Sequence, residues 1–233
     1  MGPLSPLQDT LFFFALLWGL FFMFKAFRSK VLVIGLVLWS ILHMALAASG
    51  FHAAPDALPP RPLFALGPLV VLMGLALLIP RGRAFLLRAD LLLLTSVHIL
   101  RVPVELFLHD AWQAGLAPRA MTWSGSNFDI LSGISAAAMV AYLLRSKAPS
   151  RRLLIIWNVI ALLLLINVVV IAMLSFPSPI QQLNFDTPLL LPQDPRYILL
   201  PATIVPIVLL AHVAALIKLW TSPAPLAPSA ALY

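Results

Sequence analysis

The sequence has 233 residues, of which 62% are hydrophobic and only 10% are charged. Its mean hydropathy of +1.02 lies far above that of an ordinary soluble domain, which predicts a membrane protein. The formal net charge is +7, but the basic residues fall in short clusters between apolar stretches, so we expect no binding to nucleic acid. The absence of cysteine excludes disulfides, thiolate metal sites and a cysteine nucleophile.

Apolar stretches fill almost the whole chain, and each is close to the roughly 20 residues that a helix needs to cross a bilayer. This pattern predicts an all-α, polytopic membrane helix bundle whose partner is the lipid bilayer. The seven predicted transmembrane helices lie near residues 10–27, 31–51, 62–80, 90–113, 126–144, 152–175 and 198–220. We therefore predict one seven-helix transmembrane domain over residues 1–220 and a disordered tail over the proline- and alanine-rich residues 221–233.

Positive charges alternate between the two ends of the predicted helices. Because Lys and Arg are retained on the cytoplasmic side, their positions predict that the N-terminus lies outside and the C-terminus in the cytoplasm. The first helix is followed by basic residues, the reverse of a signal peptide, so we predict that it is retained. The basic residues assigned to the cytoplasmic side are Lys25, Arg28, Lys30, Arg81, Arg83, Arg88, Arg145, Lys147, Arg151, Arg152 and Lys218.

The fourth predicted helix contains the unusually polar segment HILRVPVELFLHD. In a helix, His98, Glu105 and His109 fall within an arc of about 40 degrees, and Arg101 lies about 60 degrees to one side. Charged residues in a membrane helix generally face the bundle interior or a wet cavity. Glu105 follows Arg101 by one helical turn, so the two side chains can pair. Pro103 removes a backbone donor between them, which predicts a kink that can widen a cavity.

Four further polar residues join this face when depth is estimated at about 1.5 Å per residue. His43 and Asn167 lie in the middle or outer half of their helices, while Asn127 and Asp129 open the fifth helix at its outer end. A structural account, in which Ser124, Ser126 or Asn127 caps this helix and Asp129 sits in its first turn, is at least as good as a ligand site. The candidate ligand-binding residues are Arg101, Glu105, Asp129, Asn127, His43 and Asn167.

Two histidines, His98 and His212, have similar depths in the inner half of the bundle. Such a pair is compatible with axial haem ligation or with part of a metal site. Buried histidines more often hydrogen-bond to a neighbour, however, and the sequence offers no third metal ligand at this depth. We therefore predict neither a metal site nor a cofactor.

Several segments resemble a family of hypothetical multi-pass membrane proteins of bacteria, over most of the chain. They are ASGF, HILRVPVELFL, MTWSGSNFDILSGISA, WNVIALLLLINVVV, FPSPIQQLNFDTP and VPIVLLAHVAAL. The resemblance includes an Arg-x-Pro-x-Glu and a Gly-x-Asn-Phe-Asp element, and it implies a bacterial inner membrane without naming a substrate. The matching residues are Arg101, Pro103, Glu105, Gly125, Asn127, Phe128 and Asp129.

These patterns predict an outward-facing polar pocket that binds or transports a small solute or ion. Arg101 would be the counter-ion of an anionic solute, and Glu105 or a histidine would be the titrating group if protons are coupled. One alternative is a membrane-embedded enzyme acting on a lipid or lipid-linked substrate, with Glu105 or Asp129 as acid or base beside a histidine. Another is a sensor or structural subunit in which Arg101 and Glu105 form a packing latch.

Overall fold

The computed structural model describes residues 4–221, which contain nine α-helices and no β-strand. The prediction of an all-helical protein is confirmed over this range, whereas the predicted tail from residue 222 onward lies outside it. The 3-10 turn His98–Leu100 joins α5 to α6, and the π-helical turn Leu200–Ile204 leads into α9. The helices are α1 Pro6–Phe27, α2 Lys30–Ala48, α3 Leu63–Leu78, α4 Pro80–Arg88, α5 Leu91–Val97, α6 Arg101–Gln113, α7 Ile130–Arg145, α8 Arg151–Ser175 and α9 Val205–Thr221.

Among the described residues, five helical segments are long and apolar enough to cross a membrane. They are Pro6–Phe27, Lys30–Ala48, Leu91–Gln113, Arg151–Ser175 and Leu200–Thr221. α3 and α4 would form a sixth together, although the chain bends by 100° between them. α7 has 16 residues, so it is about 24 Å long and shorter than the roughly 30 Å hydrocarbon core. Five of the seven predicted spans thus correspond to full-length helices. The third predicted span corresponds to the bent pair of α3 and α4, and the fifth corresponds to the short helix α7.

The bend between α3 and α4 follows from the local sequence. Ile79 is extended, with φ −89° and ψ 127°, and Pro80 is the first residue of α4. Proline disfavours a helical conformation in the residue before it and suits the first position of a new helix. Gly82 allows α4 to fold close to α3, because a Cβ atom there would clash with the backbone of Ala76. The basic helix α4 therefore turns away from the axis of α3.

The helix is irregular just before Pro103, where the sequence predicts a kink. Pro103 has no N–H group to donate to the carbonyl one turn earlier, and the residues at that level form the turn His98–Leu100. α7 approaches this region closely, since a Cβ atom at Gly133 would lie 2.8 Å from the backbone nitrogen of Val102. The close approach brings the start of α7 beside Arg101.

The centre of the bundle is formed by α5, α6 and α9. In the apolar windows of these spans, 72% of the residues in Leu91–Gln113 and 67% of those in Leu200–Thr221 are buried, against 22–39% in α1, α2 and α8. α1 packs along α5 and α6, and α8 packs along α9. The outer helices α2, α3 and α8 expose large apolar side chains such as Ile34, Val71 and Leu163. These surfaces suit contact with lipid.

Contacts between connections group the helix ends on two sides. The N–H of Asp90 donates to the carbonyl oxygen of Ala26 at 3.2 Å, so the end of α1 lies beside the start of α5. The ammonium of Lys218 donates to a carbonyl of the α4–α5 connection at 2.6 Å, which adds the end of α9 to that side. At the other side, Arg196 donates to Oδ2 of Asp9 at 3.0 Å, so the start of the last helix lies beside the start of α1.

Candidate functional site

Arg101 is buried in the bundle, with 2% of its surface exposed, and its principal partner is Asp129. The guanidinium Nε donates to Oδ2 of Asp129 at 2.6 Å, and Nη2 donates to Oδ1. Asp129 is buried as well, so the two form a two-point ion pair away from solvent. Such a pair survives burial because each charge offsets the loss of hydration of the other.

The predicted pair of Arg101 and Glu105 is not formed, since no hydrogen bond or ion pair joins them within residues 4–221. Asp129 presents both oxygens to Nε and Nη2 of the guanidinium, whereas the carboxylate of Glu105 is held by Asn127. Asp129 itself is the residue that precedes α7 and its side chain makes no capping hydrogen bond, whereas Oδ1 of Asn127 accepts from the N–H of Asp129. The latch is therefore between helices rather than along one helix.

The remaining donors of Arg101 connect α6 to α8 and α9. Nη2 donates to the carbonyl oxygen of Ala161 at 2.9 Å, and Nη1 lies 3.2 Å from Nε2 of His212. A guanidinium can only donate, so Nε2 of His212 accepts and the ring carries its proton on Nδ1. That proton is donated to Oδ1 of Asn158 at 3.0 Å, and the amide nitrogen of Asn158 donates to the carbonyl of Leu154 at 2.9 Å. The chain of bonds assigns a neutral ring to His212.

Glu105 is the second buried carboxylate of the cluster, with 1% of its surface exposed. Its Oε1 accepts a hydrogen bond from Nδ2 of Asn127 at 2.7 Å, while Oε2 has no hydrogen-bond partner among the described residues. Nδ2 of Asn127 also donates to the carbonyl of Met121 at 2.9 Å, and Oδ1 accepts from the N–H of Asp129 at 3.0 Å. Asn127 thus fixes one oxygen of Glu105 and the backbone that carries Asp129.

The Gly-x-Asn-Phe-Asp element builds this cluster through a tight turn. A Cβ atom at Gly125 would clash with the backbone of Arg119, so a residue without a side chain is required there. Beyond the glycine, Asn127 and Asp129 are buried, while Phe128 between them is 51% exposed. The element therefore directs its two polar side chains into the bundle and its aromatic ring outward.

A cavity lies beside Arg101 and Glu105, lined by α6, α8 and the last helix and by the connection before it. The volume of the cavity is about 80 Å³, which is room for several water molecules. Its polar lining residues are Arg101, Glu105, Asp129 and Tyr197. The rest of the wall is apolar and includes Leu66, Leu100, Leu108, Leu165, Met173 and Val208. The cavity is thus mainly apolar rather than polar, because α8 contributes only apolar side chains to its wall. Its charged side chains lie together on one part of the wall.

Three of the predicted residues do not line this cavity: Asn127, which donates to Glu105, and His43 and Asn167. Nδ1 of His43 lies 3.1 Å from Nε2 of His52, in a separate buried pair. Nδ2 of Asn167 donates to the carbonyl oxygen of Ser126 at 2.9 Å, which holds the connection before α7 against α8. The predicted residues that the structure does bring into one hydrogen-bonded cluster are Arg101, Glu105, Asn127 and Asp129.

The buried pair of His43 and His52 predicts a loss of stability in acid. Burial, and then the charge of His43, lower the pKa of His52 from 6.5 to about 4. Between these values the unfolded chain binds a proton that the folded chain excludes, so the free energy of unfolding decreases as the pH falls from 6.5 toward 4. The slope from this one group is at most about 1.4 kcal/mol per pH unit. Thermal unfolding in detergent micelles over this pH range measures it.

His52→Gln is the control for this prediction. Glutamine keeps a polar side chain but does not titrate, so the variant should show a shallower loss of stability in acid than the wild-type protein. A pH dependence that is the same in both proteins would exclude His52 as its source.

The geometry of His98 and His212 does not suit axial haem ligation. Their rings stack with centroids 3.9 Å apart and planes 27° from parallel. Axial ligands approach the iron from opposite faces of the porphyrin, and stacked rings leave no space for one between them. Both ring nitrogens of His212 are already engaged by Arg101 and Asn158. Over residues 4–221 there is also no group of three or more His, Asp or Glu side chains placed to hold a metal ion.

The partners of Arg101 on α8 and α9 are the part of the site that the sequence does not reveal. The carbonyl of Ala161 belongs to the backbone, which carries no residue-specific signal. His212 and Asn158 stand out as polar residues in apolar helices, but the depth predicted for His212 groups it with His98 rather than with Arg101. A side chain as long as arginine spans that difference in depth.

One family model, described as a domain of unknown function (DUF8737), matches residues 59–220. The match covers more than half of the chain and includes the whole hydrogen-bonded cluster around Arg101. No curated protein and no solved structure matches the chain.

Proposed function

This chain belongs to the DUF8737 family, a domain of unknown function, and we propose from its cavity that it binds or transports a small solute beside Arg101 and Glu105. The observation that carries the proposal is Oε2 of Glu105, a buried carboxylate oxygen that has no partner among the described residues and belongs to a residue of the cavity wall. Buried polar atoms in proteins nearly always have a hydrogen-bond partner. A bound solute would supply the missing one.

Arg101 and Asp129 have a structural role within this function. Every guanidinium nitrogen of Arg101 already donates a hydrogen bond, and both oxygens of Asp129 accept from it. The pair therefore supports a packing latch between helices beside the binding cavity. The enzyme alternative is less well supported, since no hydrogen bond joins Glu105 or Asp129 to a histidine in residues 4–221.

We also propose seven membrane spans in a bacterial inner membrane, with the N-terminus outside. In this arrangement the bent pair of α3 and α4 makes one crossing and α7 makes a short one. The grouping of helix ends supports the alternation, because the end of α1, the start of α5 and the end of α9 lie together. The resemblance of the two polar elements to bacterial membrane proteins supports the location.

Single cysteine variants test this topology, since the natural chain has no cysteine. Asp56 and Lys147 are both exposed, and seven spans put them on opposite sides of the membrane. In intact spheroplasts, a membrane-impermeant maleimide should label Asp56→Cys at once but Lys147→Cys only after permeabilisation. If α7 does not cross the membrane, Lys147→Cys would be labelled from outside, which would contradict the seven-span proposal.

Filling the cavity tests the binding function. Ala172 lines the cavity from α8, and tryptophan at this position should occupy the space of the solute. We expect Ala172→Trp to lose a small molecule that co-purifies with the wild-type protein in lipid nanodiscs, as measured by solvent extraction and mass spectrometry. Val170→Trp is the matched control, because Val170 lies on the same helix, is 48% exposed and does not line the cavity.

Two results of that experiment would overturn the binding function. One is a wild-type protein that carries no molecule beyond the nanodisc lipids. The other is an unchanged amount of the same molecule in Ala172→Trp.

A further inference from the structure

The hydrogen bonds around the cavity indicate the charge of the bound solute. This inference rests on the proposed function, which leaves that charge open. An anion would need free donors on the wall. Arg101 is the only cation among the lining residues, and all three of its nitrogens already donate to Asp129, Ala161 or His212. Four of its five N–H groups are used in this way, and an anion bound to the remaining one, on Nη1, would add a second negative charge beside the carboxylate of Asp129. The cavity therefore does not favour a negative charge.

Among the polar residues that line the cavity, the buried side-chain atom without a hydrogen-bond partner is an acceptor. Glu105 is fixed through Oε1 by Asn127, and Oε2 has no hydrogen-bond partner within residues 4–221. When both carboxylates are ionised, Glu105 and Asp129 exceed the single charge of Arg101 by one negative charge. An uncompensated buried charge is strongly unfavourable. A ligand with one positive charge and an N–H donor corrects both the charge balance and the missing hydrogen bond.

The apolar walls decide which kind of cation fits. Hard inorganic cations such as Ca²⁺ take six to eight oxygen ligands, and Mg²⁺ also demands a shell of oxygens. The cavity offers one free carboxylate oxygen, and the greater part of its wall consists of leucine, valine, methionine and other apolar residues. An inorganic ion would lose most of its hydration without replacement. An organic cation can instead place an apolar body against these walls.

We propose that the cavity binds a cationic amphiphile, in which a protonated amine donates to Oε2 of Glu105 and an apolar chain lies between α6, α8 and the last helix. The residues along that path are Val104 and Leu108 on α6, Val169 on α8 and Val205 on α9. The contact between ammonium and carboxylate sets the preference for the head group, and the apolar walls contribute affinity without regard to it.

Three probes with one chain and different head groups test the inference: dodecylamine, dodecanol and dodecanoate. Each radiolabelled probe is measured in phosphatidylcholine nanodiscs, with empty nanodiscs as the blank for partitioning into lipid. Wild-type protein should retain dodecylamine better than the alcohol and the carboxylate. A hydrogen bond to a charged group contributes about 1.5–3 kcal/mol, so Glu105→Gln should weaken dodecylamine binding by about ten- to hundredfold. It should leave dodecanol binding nearly unchanged.

The outcomes separate this inference from the proposed function. Ala172→Trp should lose both dodecylamine and dodecanol, while Val170→Trp should keep them. If all three probes bind the wild type equally and Ala172→Trp abolishes binding, the cavity binds solutes but the preference for a cation is wrong. Equal dodecylamine binding by the wild type and Glu105→Gln would also overturn the cation assignment. If no probe is retained above the blank, the cavity does not bind a cationic amphiphile. Whether it binds another solute is then decided by the co-purification experiment with Ala172→Trp.

Discussion

Replacing Arg101 with alanine should destabilise the protein by about 3–5 kcal/mol, because the substitution leaves the carboxylate of Asp129 buried without its counter-ion. Both oxygens of Asp129 accept from the guanidinium, and the residue is only 4% exposed. The carbonyl of Ala161 and Nε2 of His212 lose a donor at the same time. Unfolding with dodecyl sulfate in mixed micelles measures the change.

Two double variants identify the partner of Arg101. Arg101→Ala combined with Asp129→Ala removes both charges, so it should recover part of the lost stability. Arg101→Ala combined with Glu105→Ala leaves Asp129 unpaired and should recover less. If the second combination were the more stable one, Glu105 would be the principal counter-ion and the pairing described above would be wrong.

The sequence predicts the polar face of the central helix but not its pairing. Periodicity places Arg101 and Glu105 on one helix face, and the structure buries both side chains. A spacing of four residues permits an ion pair without requiring it, and the closer match to the guanidinium fork comes from Asp129 on a different segment. Contacts between segments depend on how α7 packs against α6, which here rests on the space left by Gly133. Periodicity within one helix contains no information about that packing.

The character of the cavity is also beyond a single sequence. Its apolar wall comes from segments far apart in the chain, among them Leu66, Met173 and Val208. In the sequence each of these looks like any other residue that faces lipid or core. The conspicuous polar residues of the sequence predict a polar pocket, whereas in the structure Arg101, Glu105, Asn127 and Asp129 form hydrogen bonds with one another. Only the three-dimensional structure shows that Oε2 of Glu105 is the buried side-chain atom of the cavity-lining residues without a hydrogen-bond partner in the described part of the chain.

Asn127 provides the second large expected effect. Asn127→Ala would leave Oε1 of Glu105, the carbonyl of Met121 and the N–H of Asp129 without their present partner. Each buried group left unpaired costs about 1–3 kcal/mol, although water in the enlarged space can replace some of the bonds. We expect a loss of stability that approaches that of Arg101→Ala, measured by the same unfolding experiment.

The neighbouring residue and a charged variant make this prediction specific. Phe128→Ala is the control, because the side chain of Phe128 is 51% exposed and takes no part in the hydrogen-bonded cluster. Its removal should change the stability by less than about 0.5 kcal/mol. Asn127→Asp has nearly the same shape as the wild type but replaces the two N–H donors with an acceptor and puts a third carboxylate beside Glu105. It should therefore be at least as destabilising as Asn127→Ala. A stable Asn127→Asp variant would contradict this prediction and would mean that one of the two adjacent carboxyls takes up a proton in the variant and donates it in a hydrogen bond to the other.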